Sequence, residues 1–436
     1  MPTSSSKISI FPVLLVNFIG MLGYSVILPF LVFLVEDFGG NGFIYGLLGS
    51  IYPAFQLIGA PMLGKWSDQI GRRRVLLISQ GGTFLAWILF VIAISVPVKQ
   101  LMGVESQWVG TLTLSLPLIL LFVARALDGL TGGNVSVANA YLSDVSDDQN
   151  RKANFGKMAT STSLGFIIGP AIAGFLGATV YEELLPVIAA ALISLIAIYV
   201  INRFLPESRP ELVKANLKSF TVKKLFQIEH KECYQMEDCP DTGLKAVLRM
   251  PHIPTLFGVY FLNFLGFSFF YACFPIFASQ VMEWNSVQLG LFFTISSGIM
   301  VLAQGPILSY LSAKVPDASL VIVGSILISL NFFLLTFQTN TSVYAANVLM
   351  ALGNGIMWPS FLSILAKSGS PKVQGTIQGY ASSTGSLASI FGLILGGLLF
   401  NYVGASIFIV SGVILFLIFL ISFRLLQVER DLKVSV

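Results

Sequence analysis

The sequence predicts an all-α membrane protein with twelve transmembrane helices in two pseudo-symmetric six-helix bundles. Three observations predict it: scarce charge, the lopsided placing of that charge, and an internal repeat. Of 436 residues, 55% are hydrophobic and 11% charged, and the mean hydropathy is +0.83. Soluble chains carry about a quarter of their residues charged. A spanning helix needs roughly 20 apolar residues, so the length gives about a dozen crossings and leaves no room for a soluble catalytic domain.

Apolar runs place spans at about residues 9–35, 43–64, 75–97, 111–141, 155–179 and 184–204, and again at about 253–281, 287–311, 319–338, 342–366, 376–401 and 404–426. They define an N-terminal bundle, 1–204, and a C-terminal bundle, 253–436, joined by the one long polar segment, 205–252. In that linker Leu217, Phe220, Leu225 and Phe226 recur at helical spacing beside Lys214, Lys218, Lys223 and Lys224. This is the pattern of a basic amphipathic helix lying on membrane lipid. His230, Cys233, Glu237 and Cys239 share the linker, but their spacing matches no standard metal site. With Cys273 inside a span, the three cysteines form no disulfide framework. The N-terminal apolar run is too long for a signal peptide and lacks a cleavage pattern, so it reads as the first span.

Lys7, Arg72, Arg73, Arg74, Arg151, Lys152, Lys157, the linker bases, Lys314, Lys367, Lys372, Arg424, Arg430 and Lys433 all fall on one side of the predicted membrane. Lys99 stands alone on the other, with Glu36, Asp37, Glu182, Glu183 and Glu283. The positive-inside rule then puts both termini in the cytoplasm. The net charge of +4 is a topology signal, and no nucleic-acid partner is expected.

The halves repeat each other. Asn17-Phe18-Ile19-Gly20 precedes Pro29 as Asn263-Phe264-Leu265-Gly266 precedes Pro275, and Ala60-Pro61-Met62-Leu63 answers Gly305-Pro306-Ile307-Leu308. Gly156, Leu164, Gly169 and Gly174 answer Gly379, Leu387, Gly392 and Gly397, all 223 residues on. Such duplication points to two bundles facing each other across a central cavity.

The stretch Gly59 to Leu76, GAPMLGKWSDQIGRRRVL, holds Gly64, Asp68, Gly71 and Arg72. It resembles the loop signature G-x-x-x-D-(R/K)-x-G-R-(R/K) of the major facilitator superfamily of secondary transporters, with Gln69 as the departure. The resemblance implies the major facilitator fold. It also implies that Gly64, Asp68, Gly71 and Arg72 form a latch in which the acid faces the N-terminus of the eleventh span and holds the cytoplasmic side shut. The arginines would serve equally as a topology signal alone.

The fourth span reads Arg125-Ala126-Leu127-Asp128-Gly129. Both charges fall near mid-membrane, and at i and i+3 they share a helix face and can pair. The position resembles the R-x-x-Q-G signature of drug/proton antiporters, with Asp128 in the glutamine place. The resemblance implies proton coupling by Arg125 and Asp128; a fixed structural ion pair is the alternative. In the fifth span Gly156, Gly165, Gly169, Pro170 and Gly174 resemble the antiporter signature G-x8-G-x3-G-P-x2-G-G, with Ala173 replacing one glycine. In that family the signature marks exporters, although close helix packing also accounts for it.

Longer stretches, Arg125 to Val145 and Gln374 to Gly392, resemble the tetracycline-exporter branch. The intramembrane acids of that branch are absent, Asn17 and Asn331 being the polar residues of the first and ninth spans. For substrate contact the candidates are Asn17, Tyr24, Asn134, Asn263, Tyr271, Asn354 and Trp358, with Gln56 and Gln304 nearby. Amides in spans serve equally as contacts between helices. Most of the Phe267 to Phe277 aromatic run is expected to face lipid.

The expectation is a monomeric, multi-pass protein of the plasma membrane, the inner membrane in a bacterium. It exports a small amphiphilic drug or metabolite against protons, with no cofactor and no metal. A proton symporter or facilitative importer on the same fold is the alternative; a non-transporting membrane sensor is another, from a different class. No enzyme is expected, since no span carries a nucleophile with a base, and His230 and His252 lie in or beside the linker.

Overall fold

The computed structural model describes residues 9–132, 134–146, 150–208, 244–368 and 374–434. The predicted amphipathic linker helix and the His230 to Cys239 cluster lie outside the described residues.

Helices α1 (Phe11–Val26) and α2 (Leu31–Asp37) form one crossing bent by 42°. Pro29 sits in the break, where its missing amide hydrogen cannot continue a helical ladder. Next come α3 (Gly42–Ile70) and α4 (Arg72–Ser95), hinged at Gly71. Its φ of +101° is in the region that glycine tolerates.

An antiparallel hairpin, β1 (Gln100–Ser106) and β2 (Gly110–Ser115), follows, so the fold is not purely α. It also moves the start of the fourth crossing from about residue 111 to Leu116. The alternation Thr111, Leu112, Thr113, Leu114 suits a half-buried strand, and the Thr113 amide donates to Gly39 O at 2.8 Å. The first half is completed by α5 (Leu116–Thr131), α6 (Asn134–Asp144), α7 (Arg151–Gly177) and α8 (Leu184–Phe204).

The second half begins with α9 (Leu244–Leu248), α10 (Ile253–Gln280) and α11 (Ser286–Leu302). The α11 crossing passes through a π-turn, Ala303–Ile307, into α12 (Leu308–Ser312). Then come α13 (Asp317–Leu335), α14 (Asn340–Lys367), α15 (Gln374–Val403) and α16 (Ile407–Val434).

Among the described residues ten helices, or eleven with the bent pair, are long and apolar enough to cross a membrane. One of these, Ile377–Asp431, is 55 residues long. At 1.5 Å per residue it would measure roughly 80 Å, more than twice a hydrocarbon core of about 30 Å. The stretch instead turns back at Gly404, whose φ is +53°. Gly385 lies on Tyr260 and Gly396 on Ala272, whereas Phe408 meets Phe277 and Asp431 meets His252. Along α10 the chain thus runs one way in α15 and the other way in α16. Counted as two crossings, the stretch brings the total to the expected twelve.

The Phe267 to Phe277 run does not face lipid. Phe270, Phe274 and Phe277 are fully buried, and Phe267 and Phe269 are buried too. The reason is the position of α10, which is enclosed by α3, α15 and α16. Phe274 stacks on Phe292 at 4.3 Å, and Phe277 meets Phe408 edge-on at 5.2 Å, so the rings knit the second half together.

Candidate functional site

Glycine sets how closely the two halves approach at the end that carries the hairpin. Between α3 and α15, a Cβ placed on Gly397 would strike Gly42 O and come within 3.0 Å of Gly46 Cα. Between α7 and α11, a Cβ on Gly290 would lie 2.7 Å from Gly174 Cα. Only backbones without side chains can meet this way. The two seams are related by the internal repeat, since Gly174 corresponds to Gly397.

Polar contacts reinforce the same end. Glu36 accepts from Ser279 Oγ at 2.6 Å and from Gln280 Nε2 at 2.8 Å. Tyr402 donates its hydroxyl to Gln107 O and Trp108 O at the hairpin tip, 2.7 Å each. Beside these lies Glu183, whose carboxyl is raised above the usual glutamate range by burial first and by the neighbouring Glu182 and Asp37 charges; the Ser286 hydroxyl of the other half pulls it back down. Towards the opposite end the described links between halves thin to a Ser163 Oγ–Gln304 Oε1 contact of 3.3 Å.

Above that contact the halves leave a small cavity of about 30 Å³. Leu28, Phe166 and Pro170 line it from the first half; Phe267, Tyr271, Phe293, Ser296, Ser297, Met300, Met350, Ala351 and Asn354 line it from the second. A space of this order holds little more than a water molecule, so a drug-sized guest enters as the halves part.

The charged pair lies beside this cavity, behind a row of rings. Arg125 Nη1 is 3.7 Å from Asp128 Oδ2, and Thr83 Oγ1 donates to Asp128 Oδ1 at 2.9 Å. The Arg125 guanidinium stands 4.8 Å from the Tyr52 ring centroid, a cation–π contact. Tyr24 touches Tyr52 at 5.3 Å and Phe166 at 5.8 Å, so Phe166, Tyr24 and Tyr52 lead from the cavity wall to Arg125. Glycine makes room again: Gly129 fits under Tyr52 O, where a Cβ would come within 2.5 Å.

Of the substrate candidates, Tyr271 and Asn354 line the cavity, and Tyr24 stands in the ring row. Gln56 braces it, donating to Tyr52 Oη at 3.2 Å and Gly132 O at 3.0 Å. Asn263 and Trp358 line a separate crevice with no room for a water molecule, where Trp358 packs on Tyr260 and Phe264. Asn17 lies in the α1–α7 seam, donating to Thr162 Oγ1 at 2.7 Å and Ser161 Oγ at 2.8 Å. The side chain of Asn134 lies outside the described residues.

In the fifth-span signature Gly165 and Gly169 face α1 within the first half, and Ser25 Oγ donates to Gly165 O at 2.9 Å. Gly174 faces the other half, and Gly156 lies near the start of α7. The Asp68 side chain lies outside the described residues. Gly64 O accepts from Ser67 Oγ at 2.6 Å. Arg72 is buried; its guanidinium meets Ser67 Oγ and lies 3.0 Å from Asp144 Oδ2. Its amide donates to Glu207 Oε1 at 2.8 Å, and the Arg73 amide donates to Glu207 Oε2 at 3.2 Å.

Sequence reasoning missed Asp144 and Glu207, whose distance along the chain hides them. It also missed the cavity residues Phe166, Phe293, Ser296, Ser297, Met300 and Met350. The Ser296-Ser297 pair inside an apolar span was the one available signal.

Two like halves of membrane-crossing helices around an enclosed cavity define a class of helical membrane transporter. The chain belongs to the major facilitator superfamily: the family model described as Major Facilitator Superfamily matches residues 13–345 and again 256–435. Members of that family are transporters and not enzymes, and the protein is accordingly a multi-pass membrane transporter of small molecules.

Among curated relatives, a tetracycline resistance protein, class E, of Escherichia coli is 27% identical over 396 residues, covering 89% of this chain and 87% of that protein. Multidrug resistance protein 1 of Bacillus subtilis is 24% identical over 397 residues, covering 89% of each. The crystal structure of a human organic anion transporter superimposes with a TM-score of 0.67 at 20% identity, covering 97% of this chain and 100% of the other. A peptide transporter crystallised with sulfate gives 0.71 at 13% identity, covering 99% and 97%. At those identities the two structures speak for the fold alone.

Proposed function

We propose that the protein exports a small organic molecule, a drug or metabolite, in exchange for protons by alternating access, with Asp128 carrying the proton and Arg125 as its charge partner. The observation that carries this reading is the Arg125–Asp128 pair, 3.7 Å apart inside a membrane crossing and next to the cavity. A charge at such depth is expensive unless paired, and ionisable residues there mark ion and proton pathways. Protonating Asp128 dissolves the pair. A carboxylate that pairs in one conformation and holds a proton in the other lets a proton gradient bias the two states.

Export is supported by the fifth-span glycines and by the relatives, which are named for tetracycline and multidrug resistance. Tyr271 and Asn354 meet the substrate. Gly64, Asp68, Gly71 and Arg72 form the latch at the end bearing the termini, which is cytoplasmic by the charge distribution. The protein works as a monomer in a bacterial inner membrane, with lipid as its surroundings.

The test is proton movement in liposomes with an internal pH dye and a panel of amphiphilic compounds. Wild type should move protons when a transported compound is added, and Asp128→Asn should bind the compound without moving protons. Equal proton movement in both would refute coupling through Asp128.

A further inference from the structure

Burying a charge without a counter-charge is strongly unfavourable, whereas neutral aromatic surface is welcome among rings and thioethers. Among the described residues that line the central cavity there is no aspartate, glutamate, lysine, arginine or histidine. Its walls are the rings of Phe166, Phe267, Tyr271 and Phe293 and the flexible thioethers of Met300 and Met350, which adapt to a flat guest.

The nearest formal charges are already engaged. Asp128 holds Thr83 at 2.9 Å and faces Arg125, and Arg125 lies on the Tyr52 ring, with Tyr24 and Phe166 between it and the cavity. Neutral hydrogen-bonding capacity, by contrast, stands ready. Asn354 Nδ2 reaches only the weak acceptor Met300 Sδ, at 3.4 Å, and Ser297 Oγ lies 3.4 Å from Phe166 O. The second contact is long for a hydroxyl donor.

We propose that this cavity binds an uncharged aromatic molecule that carries a neutral hydrogen-bonding group, an amide or hydroxyl, met by Asn354 and Ser297, and that organic cations and anions of the same shape are excluded. The inference rests on the exporter reading and gives it a substrate class. The proton site and the substrate site are then separate, joined by the Phe166–Tyr24–Tyr52 row and sharing no charge.

The experiment uses full-length protein in lipid nanodiscs, with empty discs subtracted. It compares the binding of 2-naphthamide, 2-naphthylmethylamine, 2-naphthoate and naphthalene at pH 7. The neutral amide should bind at least tenfold tighter than either charged analogue. Asn354→Leu should weaken 2-naphthamide about fivefold and leave naphthalene unchanged; Ser297→Ala, a smaller change, should act in the same direction. Equal or tighter binding of a charged analogue, no binding of 2-naphthamide, or indifference of both variants would overturn the proposal. The binding needs no gradient, so charge discrimination without flux of the amide in liposomes would overturn the exporter reading and leave the site standing.

Discussion

Replacing Gly397 by valine should open the hairpin end of the molecule. The added Cβ would strike Gly42 O and lie 3.0 Å from Gly46 Cα, both on the other half, and neither backbone can retreat without parting the seam. Overpacking of this kind destabilises by about 1–3 kcal/mol. Because the clash exists only while the halves touch, that energy acts on the closed state alone and shifts the closed-to-open ratio roughly 5- to 150-fold towards open. The gain in helix propensity on removing a glycine acts equally on both states and cancels. Spin labels on Val180 and Val281, at the hairpin end of the first and second halves, should report a longer distance population in Gly397→Val. Gly258→Val is the control, since its Cβ meets nothing within 4 Å. An unchanged distance distribution in folded Gly397→Val protein would refute the closure mechanism.

Acid should favour the folded protein at Glu183. Its carboxyl is raised from the ordinary 4.5 by burial first and by the Glu182 and Asp37 charges, so the folded protein takes up protons there. The stabilisation is full below the ordinary value and fades as pH rises through the raised one. Thermal stability should fall on raising pH through that range in wild type and fall less in Glu183→Gln; identical profiles would remove Glu183 from the account. Glu207→Ala deletes the acceptor of the Arg72 and Arg73 amides and should lower thermal stability by about 1 kcal/mol, the usual worth of a helix cap. An unchanged melting profile would contradict the capping role. Asn17→Ala breaks the α1–α7 hydrogen bonds and should cost roughly 0.6–1.7 kcal/mol. Binding of 2-naphthamide should stay as in wild type, and a loss of affinity without a loss of stability would return Asn17 to the substrate site.

What the sequence made legible followed from local pattern. The crossings, the duplicated Asn-Phe and Gly-Pro landmarks and the Arg125–Asp128 pair rest on runs or spacings within a few turns. The hairpin at 100–115 was lost because Leu112 and Leu114 read as helix in an apolar window, although their alternation with threonine was a strand signal. Arg72 was legible as a charge, but its partners Asp144 and Glu207 lie 72 and 135 residues away, and only the fold brings them together. The aromatic run of α10 was misjudged because hydropathy cannot tell a lipid-facing phenylalanine from one enclosed by other helices. For the same reason the cavity residues of the second half could not be sorted from their neighbours.

The repeat itself separates closure from chemistry. Gly46 stands 15 residues before Pro61, and Gly290 stands 16 before Pro306. The extra residue is absorbed by the π-turn Ala303–Ile307, the helical form that accommodates one residue more than an α-turn. With that offset removed, Gly46 with Gly397 and Gly290 with Gly174 are one contact used twice, and both uses lie across the boundary between halves. A symmetric seam can open and close without preference for either half. The Arg125–Asp128 pair occurs in the first half only, and the neutral serine and amide groups of the cavity come from the second. Symmetric glycines therefore suit the rocking of two bundles, while in the proposed mechanism the charge pair belongs to the first half and the neutral hydrogen-bonding groups to the second. Exchanging the seam glycines should alter the balance of states without altering which molecules bind, and Asn354→Leu should do the reverse.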